Sequence, residues 1–193
     1  MNLLFVTSSP STSSLSKRLG HLLCATLPSS QKALHLNLNE EPVPFYTTEL
    51  HNAIFKGSVA PDDAEARKQS EAYIQQFESA DRIVLAVPMH NFSVPAVLKA
   101  WMDQLAIPGR TFDYQETGPR GLLDKKVFIV LTSGGKYQGS PWQAMDSATP
   151  TLINFFKFLG CSPVVYHVEG TAGKLDDNVE SALTSTFQRW LAQ

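Results

Sequence analysis

The stretch RIVLAVPMHNFSVPAVLKAWMDQL, residues 82–105, decides the fold. It opens with Ile83 to Val87 as an unbroken apolar run, the pattern of a strand buried on both faces. It closes with Val97, Leu98, Trp101, Met102 and Leu105 at helical spacing, which predicts a helix that ends before Pro108. Between them lies a polar, aromatic loop made of Pro88, Met89, His90, Asn91 and Phe92. A bare strand that runs through such a loop into a helix is one step of a parallel α/β sheet. Open sheets of that kind bind ligands at the carboxyl ends of their strands, so the loop is a candidate edge of a functional site.

The same alternation continues in both directions. Asn2 to Thr7 reads as a buried strand, followed by the loop SSPSTSS and a helix from Leu15 to Leu27 with Leu15, Leu19, Leu22 and Leu23 on one face and Pro28 as its stop. Ala33 to Leu38 reads as a second strand. Residues 40–61 carry Pro42, Pro44 and Pro61 among Phe45, Tyr46 and Phe55, and form a longer connection than usual, a candidate lid or subunit contact. A polar helix is predicted from Asp62 to Ala80 with Asp62 or Asp63 as its cap, then the third strand at Arg82 to Val87, with Pro95 in the first turn of the helix that follows. Thr111 to Tyr114 and Gly118 to Gly121 suit an excursion or hairpin before a fourth strand, Lys126 to Leu131. A helix from Pro150 to Leu159, capped by Thr149 and stopped by Gly160, leads to a strand at Pro163 to His167 and a last helix from Asp177 to Leu191. Five parallel strands with right-handed crossovers favour the order 2-1-3-4-5, with helices on both faces and the switch point between strands one and three.

Composition narrows the classes. A chain of 193 residues, 43% hydrophobic and 18% charged, with no linker-like segment, fits one domain with a substantial core. Sixteen Lys and Arg against 18 Asp and Glu leave a charge of −2, which offers neither a basic surface for nucleic acid nor the acidic surplus of a small electron carrier. Cys24 and Cys161 form no CxxC pair and read as buried thiols in a reducing compartment. The opening residues MNLLFV are too short an apolar run for a signal peptide or a membrane span, so a cytoplasmic protein without membrane association is expected.

Three loops carry the chemistry. The first, with Ser8, Ser9, Ser11, Thr12, Ser13, Ser14 and Ser16, sits where a strand meets a helix amino end; free N–H groups and hydroxyls there suit a phosphate, and equally suit plain capping. Neither GxxxxGK[ST] nor GxGxxG is present, which leaves a mononucleotide phosphate. In the second loop, Asn91 can donate and accept at the edge of a heterocycle, Met89 and Phe92 can pack on its face, and His90 is a candidate polar contact. After the fourth strand, Ser133, Gly134 and Gly135 allow close backbone approach to ring carbonyls. GxSxG and HExxH are absent, and together the loops fit a flavin.

The stretches SSPSTSSLSKRL, PMHNFSVPAVLKAWMDQL, PGRTFDYQETGPRGLLDKKVFIVLTSGG and FFKFLG, spread over nearly the whole chain, resemble the FMN-dependent NADH azoreductases, which are flavodoxin-like quinone reductases. The resemblance implies a flavodoxin-like homodimer with one FMN per subunit. Ser9, Ser14, Leu15 and Ser16 would hold the phosphate. Pro88, Met89, His90, Asn91 and Phe92 would hold the ring on one side, and Ser133, Gly134 and Gly135 on the other. It also implies a ping-pong hydride transfer in which NADH reduces the flavin and the flavin then reduces a quinone or an azo bond. No metal is implied. His90 stands where many members have Tyr, the fourth-strand loop lacks an Arg that some members carry before the glycines, and the first loop is a little shorter. In the family the acceptor pocket is completed by the other subunit, which makes residues 42–61 the candidate contributor across the dimer. A flavodoxin-type electron carrier, or a protein that keeps the fold without the flavin, are the readings set against this one.

Overall fold

The computed structural model describes residues 1–28, 31–40 and 43–193. Strands β1 (Asn2–Thr7), β2 (Lys32–Asn37), β3 (Arg82–Pro88), β6 (Lys126–Thr132) and β7 (Ser162–Val168) form one parallel sheet in the order β2-β1-β3-β6-β7. A separate antiparallel hairpin, β4 (Phe112–Gln115) and β5 (Gly118–Gly121), occupies the expected excursion. With the hairpin set aside, the order is the expected 2-1-3-4-5 of a flavodoxin-like α/β fold.

Alternation along the central strands divides the core into two layers. Leu4, Val6, Ile83, Leu85, Val127 and Ile129 face helices α3 (Pro61–Ser79), α4 (Ala96–Leu105) and α5 (Ala148–Phe158), and pack with Ile74, Phe77, Leu98, Trp101 and Phe156. Leu3, Phe5, Val84, Ala86, Phe128 and Val130 face α1 (Leu15–Ala25) and α6 (Val179–Leu191), and pack with Leu19, Leu23, Phe187 and Trp190. Both faces are covered, which is why these strands read as continuous apolar runs. Each fully buried Leu or Phe contributes about 1.5–3 kcal/mol, so the sheet's position is over-determined.

Several boundaries differ from the sequence reading. The connection of residues 43–60 contains a helix, α2 (Thr48–Phe55), whose first turn is capped by the Thr47 hydroxyl accepting from Leu50 N–H at 3.3 Å. Pro42 lies outside the described residues. Helix α3 starts at Pro61 with Ala60 at the cap position, so Asp62 and Asp63 stand in its first turn, where their negative charge favours the positive end of the helix dipole, rather than at the cap. Pro95 is itself the residue before α4, and its carbonyl accepts from Leu98 and Lys99. Thr149 is the second residue of α5 and not its cap; the Asp146 carboxylate accepts its N–H at 2.9 Å and its O–H at 2.6 Å. Helix α6 begins at Val179, two residues later than expected, with Asn178 before it, and α1 ends at Ala25.

Gly160 stops α5 with φ +88°, and the chain there meets the hairpin without clearance. A Cβ at Gly121 would lie 1.9 Å from the Gly160 nitrogen, and Leu123 N–H donates to Leu159 O at 2.9 Å. The GPRGLL and FFKFLG stretches are therefore two halves of one backbone-to-backbone contact. Gly121→Ala is expected to destabilise the protein by about 1–3 kcal/mol through overpacking, read as a lower urea midpoint at unchanged slope. An unchanged midpoint would show that this contact does not hold the hairpin.

Candidate functional site

Parallel register brings the strand ends together. Thr7 pairs with Asn37 and Ala86, Pro88 with Thr132, and Thr132 with Val168, so the loops after β1, β3 and β6 leave the sheet on one edge beside the reversal of strand order. The expected site residues lie on these three loops or at the element ends that bound them, with Pro88 closing β3 and Leu15 and Ser16 opening α1.

In the first loop, Ser8 and Ser9 are buried, and the Ser9 hydroxyl accepts from Ser11 N–H at 3.3 Å, so Ser9 shapes the turn from inside. Ser14 caps α1 by accepting from Lys17 N–H, and its hydroxyl lies 2.9 Å from that of Ser16. The first N–H groups of a helix have no partner within it, which leaves those of Leu15 and Ser16 at the helix end. The first turn carries no acidic residue, and a cleft of about 460 Å³ opens beside it, lined by Thr12, Ser13, Ser14, Lys17, Arg18 and His21. Donors, dipole and basic side chains there suit an anion.

The second loop is a strained tight turn. Asn91 and Phe92 have φ of 47° and 69°, and they are flanked by reciprocal bonds of His90 N–H to Ser93 O at 2.9 Å and Ser93 N–H to His90 O at 3.0 Å. Two consecutive positive φ values between paired residues make a hairpin turn of the type that Asn-Gly prefers, and placing Phe at the second position costs energy. His90, Asn91 and Phe92 are exposed, whereas Pro88 and Met89 are half-buried, with Met89 packed on the core and its N–H donating to Thr132 O at 2.7 Å. The turn is clamped from below, where Ser147 N–H, Ala148 N–H and the Ser147 hydroxyl all donate to Phe92 O within 3.1 Å.

In the third loop the three expected residues separate in role. Ser133 is buried; its N–H donates to Val168 O, and its hydroxyl lies 2.9 Å from Gly135 O and 2.8 Å from His167 Nε2. Gly134 and Gly135 are exposed. A Cβ at Gly134 would meet nothing nearer than Ala172 at 3.6 Å, and one at Gly135 nothing nearer than the Tyr137 ring at 3.4 Å. These are ordinary contacts, so internal packing does not require the bare backbone. The missing side chains leave room for a group outside the chain.

The shell beneath this loop was not read from the sequence. Gly170, Thr171 and Ala172 donate N–H groups to Gly135, Ser133 and Gly134 carbonyls, and Glu169 accepts from Tyr137 N–H at 2.7 Å and Gln138 N–H at 3.0 Å. The Tyr137 ring meets Phe92 edge-on at 6.3 Å and lies parallel to the His167 ring at 6.5 Å. Tyr137 lies two residues beyond Gly135, and the His-x-Glu at 167–169 stands at the end of a strand, but nothing in their spacing links them across some thirty residues.

A doubly wound α/β sheet with its ligand loops gathered at the switch point defines the class. The family of flavodoxin-like fold matches residues 1–193, and the chain belongs to it. A protein of Bradyrhizobium sp. strain BTAi1 named FMN-dependent NADH:quinone oxidoreductase is 37% identical over 180 residues, covering 89% of each chain. One of the same name from Saccharophagus degradans is 38% identical over 82% of this chain and 72% of its own. Among solved structures, an FMN-dependent NADH-azoreductase from Bacillus anthracis in complex with FMN superposes with a TM-score of 0.85 at 27% identity, covering 100% of both chains.

Replacing Phe92 by Gly restores the preferred turn sequence. Phe92→Gly is expected to stabilise the protein by about 0.5–1 kcal/mol by relief of the positive-φ strain. Thermal unfolding of the variant checks this, and a loss of stability would mean that the Phe92 ring packs as core.

Proposed function

We propose that this protein is a single FMN-binding domain over residues 1–193 that uses NADH to reduce quinones by two electrons, and azo bonds likewise, with the flavin alternating between the two substrates in a ping-pong sequence. The observation that carries this reading is the meeting, on one sheet edge, of an anion-ready helix end, a strained turn presenting Asn91 and Phe92, and a glycine turn bare for no internal reason. The printed names of the relatives and of the FMN complex support the same choice.

The donor set fits FMN. The Leu15 and Ser16 N–H groups and the Ser14 hydroxyl would hold its phosphate, with Ser9 fixing the turn that leads to them. Met89, Asn91 and Phe92, on the rigid footing of Pro88, would meet the ring on one side, and Gly134 and Gly135 would offer N–H groups on the other, with Ser133 setting their position from beneath. When bound, the flavin supplies the hydride-accepting and hydride-donating chemistry, and the chain supplies binding, orientation and exclusion of water. His90 is exposed beside the turn and is assigned to contact the acceptor rather than to hold the flavin.

Residues 43–61 complete the proposal. Phe45, Phe55 and Val59 are well exposed, while Pro44 is tied to the core by the fully buried Gln104, whose Nε2 donates to Pro44 O at 2.9 Å. Exposed apolar side chains on an anchored segment support a homodimer in which this segment reaches the partner's acceptor pocket. Burial pushes the thiol of Cys24 up to about 12 and that of Cys161 to about 11, which keeps both protonated and unreactive, as a cytoplasmic location would suit. No helix among the described residues is long and apolar enough to cross a membrane.

Anaerobic spectroscopy tests the activity. NADH is expected to bleach the bound FMN, and a benzoquinone to restore it, without a semiquinone; a stable semiquinone would point instead to an electron carrier. Asn91→Ala is expected to weaken FMN by about 1–3 kcal/mol, since a buried ring-edge group would lose its partner, and unchanged affinity would remove this turn from the ring. His90→Tyr should keep FMN and shift acceptor preference, and loss of flavin would refute the assignment of His90.

A further inference from the structure

His167 on β7 is a fully buried titratable side chain that the proposed chemistry does not use. Its Nε2 lies 2.8 Å from the Ser133 hydroxyl, which is also 2.9 Å from Gly135 O, so a single hydroxyl hydrogen has two acceptors within reach. Its Nδ1 is buried without a hydrogen-bond partner and faces Asp146 Oδ2 and Glu169 Oε1, each at 3.7 Å. A bare lone pair between two carboxylates is repelled by both. The proton of the neutral ring therefore belongs on Nδ1, and Ser133 donates to Nε2. Gly135 O is not orphaned by this, because Gly170 N–H donates to it at 2.9 Å.

Each of these partners holds one wall of the candidate site. Ser133 is the root of the glycine turn, Glu169 carries the N–H groups of Tyr137 and Gln138, and Asp146 braces the start of α5 through Thr149. Next to Asp146, Ser147 and Ala148 hold Phe92 O. Resting on the flavin reading above, we propose that His167 is a positioning residue that, as a neutral ring, keeps the Ser133–Gly135 turn and the Asn91–Phe92 turn in register, and that a second proton on it releases them.

The second proton would occupy Nε2 and turn the Ser133 hydroxyl to Gly135 O. It would also place a cation between Asp146 and Glu169, drawing Glu169 away from the Tyr137 and Gln138 N–H groups. Among the described residues, the titratable groups facing the ring are Asp146 from the segment before α5, Glu169 just after β7 and Tyr137 from the loop after β6. Burial lowers the ring's pKa below the ordinary histidine value, with Glu169 and Asp146 opposing, so the ring is neutral at neutral pH. A site that prefers the neutral ring loses affinity as pH falls through that lowered value.

The test is FMN affinity, followed by flavin fluorescence from about pH 8 to about pH 5, in wild type, His167→Phe and Ser133→Ala. Titration of the FMN phosphate is common to all three and cancels in their ratios. Wild-type affinity is expected to fall about five-fold or more relative to His167→Phe over this range, with Ser133→Ala, which keeps the ring and its two carboxylates, falling by less than wild type. Ring 15N shifts of His167 in wild type at neutral pH should report the Nδ1–H form, whether or not the variants fold. The same pH profile in all three proteins, or the Nε2–H form, would overturn the role of His167 while leaving the flavin reading standing. Wild-type protein that binds no FMN would overturn both.

Discussion

A strand covered on both faces has no place along its length for a polar side chain, and the rest of this molecule follows from that constraint. β1, β3 and β6 are buried apolar runs, so their polar chemistry is displaced to the ends. Because they are parallel and in register, the displaced groups gather at one edge. The crossovers place α1 and α6 on one face and α3, α4 and α5 on the other, and the loops after β1 and β3 diverge around the resulting switch point. The site's location is thus a consequence of core packing, and the identity of its groups is a matter of what the loops happen to carry.

What the loops carry divides into groups that face outward and groups that hold them in place. Ser14, Asn91, Phe92, Gly134 and Gly135 present donors, an aromatic face and open backbone. Ser9 shapes the first turn by accepting from Ser11 N–H, and beneath the third loop Ser133 pairs with His167 while Asp146 and Glu169 flank that ring. The strain at Asn91 and Phe92 persists because three donors converge on the Phe92 carbonyl. An exposed aromatic ring on a turn that disfavours it is consistent with selection for a surface rather than for stability.

The sheet was legible in the sequence because apolar runs bounded by Ser, Pro and Gly clusters have one economical arrangement. The outward-facing site residues were legible for the same reason, since they occupy the ends of those runs. Helix α2 was hidden among prolines and aromatics that read as a loop, and its only local mark was Thr47 ahead of Glu49. Caps were misplaced by a residue or two where a proline's fixed φ or a carboxylate reaching from outside the helix, as Asp146 does for Thr149, took over the expected residue's role. Ser133 was expected to offer its backbone to the ring alongside the glycines; its N–H goes instead to Val168 O, and its hydroxyl turns inward to His167, 34 residues along the chain and on the neighbouring strand, a contact that no local pattern encodes.

The most direct test of the account is a crystal structure of the FMN-loaded protein. The phosphate is expected on the Leu15 and Ser16 N–H groups beside the Ser14 hydroxyl. The ring is expected between the Asn91–Phe92 turn and the backbone of Gly134 and Gly135, with Ser133 still bonded to His167. A flavin seated away from these three loops, or one whose phosphate lies elsewhere than the amino end of α1, would contradict it.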